Sequence, residues 1–283
     1  MNKRTLLNIV TVLAALAAVP AFGLAIDDGS VLPSPSNQVV NPTLPVAGTS
    51  QLELSQQWWQ WALSIPAASN PLLDTTGASA HTNNDGPVFF VAGNAGGSST
   101  RSFTAPTGKP IFFPLVNAFD LEVPTDGCNF QCASGFIPGV GGATNLHATL
   151  DGQDLLAFPS FRQTSTAFFT VNLPASLRDA FGFPSQYVGA LDSISDGYWV
   201  ALSGLSAGPH TLVFGGTIPE LAPGASPFTV EVTAHIAAVP EPETYALLLA
   251  GFGIVGWAAS RRSTRALPLI GGDGIRCQPT TPR

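Results

Sequence analysis

Hydrophobic and polar positions along this chain follow two distinct periods. Between 228 and 236 they alternate strictly. Phe228, Val230, Val232, Ala234 and Ile236 point one way, and Thr229, Glu231, Thr233 and His235 the other, which predicts a half-buried strand. Between 50 and 66 the period is helical. Leu54, Trp58, Trp61 and Ile65 recur at spacings of four, three and four, so they share one face, while Trp59 projects from another side. Ser50 with Glu53 forms a capping box at the start of this helix, and Pro66 ends it. Further strand signals are short and separated by turn residues, at 88–92, 101–104, 111–116, 146–150, 154–157, 168–171, 198–202 and 210–214. Asp151-Gly152 joins two of them as a two-residue hairpin turn. A short surface helix is expected over 173–182, with Pro174 near its start. Eight or more short strands, separated by turn signals and without an internal repeat, predict an all-β fold. A β-sandwich with one short N-terminal amphipathic helix fits best, the jelly roll being one form it can take.

Two apolar stretches fit neither period. Residues 1–25 read as a secretory signal peptide, with Lys3 and Arg4 before an apolar segment and the small residues Gly23 and Ala25 before the cut; cleavage after Ala21 is the alternative. Residues 244–260 are uncharged and include Leu247, Leu248, Leu249, Ile254, Val255 and Trp257. At roughly 1.5 Å per residue they give about 25 Å of helix, enough for a thin bilayer. Arg261 and Arg262 follow and are expected on the cytoplasmic side, with everything before 239 outside. The competing reading of 244–260 is a buried core helix. The chain thus divides into a signal peptide (1–25), an exposed lead-in (26–48), an extracellular domain (49–238), a membrane-directed segment (239–262) and an unstructured tail (263–283).

Composition supports an exported β domain. Charged residues make up 10% of the chain, which holds 29 Gly and 25 Pro. Disorder throughout is excluded by 45% hydrophobic content and 18 Phe. Over 26–238 only Arg101, Lys109, Arg162 and Arg178 are basic, against fifteen Asp and Glu, a formal balance of −11. Such a surface repels nucleic acid and anionic lipid.

The order Pro240-Glu241-Pro242, apolar helix, Arg261-Arg262 resembles the PEP-CTERM sorting signal of Gram-negative bacteria. That resemblance implies recognition by a membrane-embedded exosortase that cuts near the Pro-Glu-Pro motif. This chain departs from the usual signal by continuing through Ser263 to Arg283. The runs WWQWALSIPAASNPLLDTTG, GPVFFVAG and GKPIFFPLVN look like a group of secreted bacterial proteins of unknown function, which implies no catalytic residues.

Candidate chemistry is sparse. Cys128 and Cys132, in CNFQC, suit a local disulfide in an oxidising compartment, with two free thiols as the alternative. His81, His147, His210 and His235 form no metalloprotease motif, and no G-x-S-x-G elbow is present. Asp120, Glu122 and Asp126, with Asn117 and Asn129 nearby, offer the hard oxygen ligands Ca²⁺ requires, against the plainer reading of a solvated acidic turn. Trp59 is the candidate for sugar stacking, whereas Trp58 and Trp61 are expected in the core. The sequence therefore points to a non-catalytic, cofactor-free protein of the cell surface or extracellular matrix. Its expected partners are signal peptidase, exosortase, the membrane through its C-terminal helix, and exopolysaccharide. A secreted polysaccharide-active hydrolase and a Ca²⁺-dependent adhesion module are the alternatives.

Overall fold

A computed structural model describes residues 38–240, except 124, 126, 222 and 223. The expected signal peptide, the 244–260 helix, the 263–283 tail, Asp126, Glu241, Pro242, Arg261 and Arg262 lie outside the described residues.

The strands, in chain order, are β1 (Phe89–Phe90), β2 (Gly97–Pro106), β3 (Ile111–Glu122), β4 (Thr144–Leu150), β5 (Gln153–Asp154), β6 (Arg162–Thr164), β7 (Phe169–Leu173), β8 (Gly189–Leu202), β9 (Gly208–Ile218) and β10 (Phe228–Val239). Among the described residues three α-helices accompany them: α1 (Gln51–Ser64), α2 (Phe130–Ser134) and α3 (Ala175–Phe181). The strands form two five-stranded sheets. One runs β1-β3-β8-β6, with β7 also on β8; the other runs β2-β10-β9-β4-β5. Pairing is antiparallel except for β1 with β3 and β2 with β10. The sheets are therefore mixed, whereas a jelly roll is antiparallel.

The two sheets share one hydrophobic cluster. Phe113 of β3 meets Phe214 of β9 at 4.8 Å between ring centroids, with Val200, Val232, Ile236 and Leu150 around them. A second cluster fills the opposite face of the β3–β8 sheet, beneath α1. There Trp199 stacks on Phe112 at 5.3 Å and meets Trp58 edge-on at 5.3 Å. In β3 an irregularity between Pro114 and Val116 shifts the register. Before it Phe113 faces the shared cluster and Phe112 the helix; after it Val116 and Ala118 face the shared cluster and Leu121 the helix side. One inserted residue exchanges the faces, as the two-residue period requires.

α1 forms where the periodicity places it. Ser50 Oγ accepts from Glu53 N at 3.2 Å, and the Glu53 carboxylate takes the Gln57 amide at 3.3 Å. Trp58 and Trp61 anchor the helix by donating their indole N–H to Val91 O (3.0 Å) and Thr82 O (2.8 Å). In the β4–β5 hairpin Asp151 and Gly152 both have positive φ, 52° and 80°, as a two-residue turn of this kind needs.

Within the expected exposed lead-in, residues 38–40 pack instead beside the end of β8, while 43–45, 47 and 48 are exposed. Val39 is 8% exposed and bridges Leu202, Val40 N donates to Ala201 O, and Ser203 N donates to Gln38 O. These backbone bonds satisfy the end of β8, and the Pro-rich composition gave no sign of them. Among the described residues no helix is long and apolar enough to cross a membrane.

Candidate functional site

Three places gather the side chains singled out in the sequence. The first is an aromatic pocket. α1 presents Trp59, and β3, past its irregularity, turns Phe119 to the same side, with 4.4 Å between the ring centroids. Phe181 from α3, Leu221, and Phe228 at the start of β10 complete the apolar walls, together with Leu72. Asn94 and Asn117 supply the polar lining of this open pocket of about 240 Å³. Trp59 is only 4% exposed, so it is a wall of the pocket and not the projecting platform expected from its helical position. The side of α1 away from the main stripe is covered as well, and helical periodicity cannot register that. Trp59 Nε1 and Asn117 Nδ2 are buried and have no hydrogen-bond partner among the described residues. The Asn94 amide is fully engaged, donating to Gly97 O, Ser99 Oγ and Glu231 O at 3.0, 3.2 and 3.1 Å. The pocket can receive one flat ring, with two orphan donors behind its walls.

The second place is acidic. Asp120 and Glu122 were expected on a loop but belong to β3, opposite Ile194 and Asp192 of β8. Asn117, also on β3, pairs with Gly197 of β8, and Asn129 instead caps α2, its Oδ1 accepting from Cys132 N at 3.0 Å. Of the residues proposed to converge on one cation, Asn117, Asp120 and Glu122 thus lie on a strand and Asn129 at a helix cap, and Asp126 lies outside the described residues. Among the described residues no three His, Cys, Asp or Glu side chains gather as metal ligands. Cys128 and Cys132 are joined by a disulfide at the start of α2, with a Cα–Cα distance of 5.4 Å.

Two charged assemblies had no signature in the sequence. Arg162 of β6 donates from Nε to Asp196 Oδ1 at 3.0 Å, and Thr164 Oγ1 donates to the same oxygen at 2.8 Å. The hydrogen bonds from Arg162 to Asp196 and the charge of that carboxylate hold the guanidinium above its ordinary pKa, against the effect of burial. Arg101 of β2 is buried and donates from Nη1 to Ala92 O at 2.9 Å. Burial pushes its pKa down, and the charge of Asp74 acts in the opposite sense. Burial also opposes ionisation of Asp74, but hydrogen bonds from Ser79, Thr76 and Gly77 outweigh it and hold this carboxyl below its usual pKa.

The third place is where the domain ends. β10 stays paired with β2 to its final residue, Val239 opposite Pro106, and Thr107 N donates to Val239 O at 2.9 Å. Pro240 follows at once and lines a groove with Asp85, Gly108 and Lys109. Residues 238–262, which begin within the last two residues of β10, match the family model of the PEP-CTERM protein-sorting motif. The motif defines a class of exported proteins anchored in a membrane before exosortase processing, and this chain carries it. No curated protein matches the chain. A solution structure of amebosin is similar at 14% identity, covering 49% of this chain and 95% of its own, with a TM-score of 0.13.

Proposed function

We propose that this is a non-catalytic surface or matrix protein, exported behind its signal peptide, held in the inner membrane by its 244–260 helix and handed to exosortase. The observation that carries the proposal is the sorting motif at 238–262. The shared cluster between the two sheets supports a β-sandwich as the delivered module. The Asp74 and Asp196 carboxylates are engaged in internal hydrogen bonds, which disfavours these two as general acids or bases. Exopolysaccharide is the proposed ligand, contacted at the pocket of Trp59, Phe119 and Phe228, where flat aromatic walls suit a pyranose face.

The test is retention of the purified domain on matrix polysaccharide from the native host. Phe119→Ala removes a partly exposed wall and leaves the buried Trp59 in place. Retention is expected to fall about tenfold, the equivalent of roughly 1.4 kcal/mol. Retention equal to wild type, at an unchanged melting temperature, rules the pocket out.

A further inference from the structure

We infer that the groove beside Pro240 is a docking surface for the sorting enzyme, separate from the Pro-Glu-Pro motif itself. This rests on the sorting assignment above and adds to it a role for the folded domain. The motif has no free linker before it. Val239 is still paired with Pro106 and bonded to Thr107 N, so Pro240 starts from a fixed point on the domain. Only four residues, 240–243, separate β10 from the apolar run that begins at Thr244. Fully extended they span at most about 14 Å. An enzyme embedded in the membrane that grips Glu241 and Pro242 within so short a reach must stand against the surface around Pro240.

That surface is shaped to receive something. Pro240, Asp85 and Lys109 line two adjoining grooves of about 580 and 600 Å³. Pro87, Pro106 and Pro110 stiffen their walls, so the concavity is present before any partner arrives. Lys109 is one of four basic residues across 26–238, and it stands at this rim beside Asp85. The occupant is a short loop of the membrane-embedded enzyme, seated between proline walls and oriented by one positive and one negative group at the mouth.

The experiment follows conversion of the full-length precursor in the native host by pulse-chase immunoblot. Three variants are compared with wild type: Lys109→Glu, a flexible Gly-Ser insertion of about twelve residues between Val239 and Pro240, and Glu241→Ala. Lys109→Glu and the insertion are each expected to slow conversion about fivefold, the first by reversing a rim charge and the second by uncoupling the groove from the motif. Equal melting temperatures of the purified domains exclude misfolding as the cause. Conversion of the insertion variant at the wild-type rate or faster overturns the docking surface, because the domain is then neutral or an obstacle. Glu241→Ala is expected to block conversion in either case. Normal conversion of that variant sinks the sorting assignment itself, so the two failures are distinguishable.

Discussion

The two sheets differ in how many of their faces are covered. The β3–β8 sheet is buried on both sides, against the other sheet through Phe113 and Val200 and against α1 through Phe112 and Trp199. Among the described residues the β9–β10 sheet is covered on one side only, and Thr229, Glu231, Thr233 and His235 remain on its outer face, exposed or half-buried. The doubly covered sheet therefore acts as the centre of the domain. Its side chains gain burial whichever way they point, so a substitution there is felt on either face.

The contrast can be broken most sharply at Trp199. It is fully buried between Phe112 and Trp58, and Trp199→Ala is expected to cost about 3–5 kcal/mol in urea or guanidinium unfolding. A loss no larger than that of an exposed substitution would show that α1 and its tryptophans do not close a true second core.

The next effect lies at the edge of the singly covered sheet, where β2 buries Arg101. Asp74→Asn removes its counter-charge and weakens the loop that Asp74 ties together, so a loss of roughly 2 kcal/mol at pH 7 is expected. The folded-state pKa of Asp74 is lowered, so its contribution is present above the unfolded value, near 3.8, and fades as pH falls through the folded one. Unfolding curves of wild type and Asp74→Asn should therefore converge as pH falls below the folded-state pKa of Asp74. A gap that persists there would assign the loss to packing.

The smallest effect belongs to the outer face of β10. Glu231 meets His147 at 2.8 Å, with both side chains about two-fifths exposed. Glu231→Gln should change stability by no more than about 0.5 kcal/mol, checked by the same unfolding curves.

The same contrast explains what was legible in the sequence. β10 alternates because one of its faces is wet, and its pattern was plain from Phe228 onward. The residues of β3 after 116, where Asp120 and Glu122 looked like loop ligands, were not recognised as strand. The register shift breaks the period, and with both faces covered there is little alternation to break. Ser50 and Pro66 marked the ends of α1 through local backbone chemistry, which needs no knowledge of the rest of the fold. The pocket walls come from residues as far apart as Trp59 and Phe228, and Arg162 and Asp196 sit on strands brought together only by pairing. No local spacing encodes such meetings. Trp59 was singled out for its type, and its burial depended on Phe119, sixty positions downstream.

β10 has one more consequence. Phe228, at its beginning, borders the aromatic pocket, and Val239, at its end, leads straight into the sorting motif. Eleven steps of strand at about 3.3 Å each separate the two by roughly 36 Å. While the chain is anchored before processing, the pocket therefore lies at the end of β10 away from the sorting motif. Severing the tail would leave that end as it was.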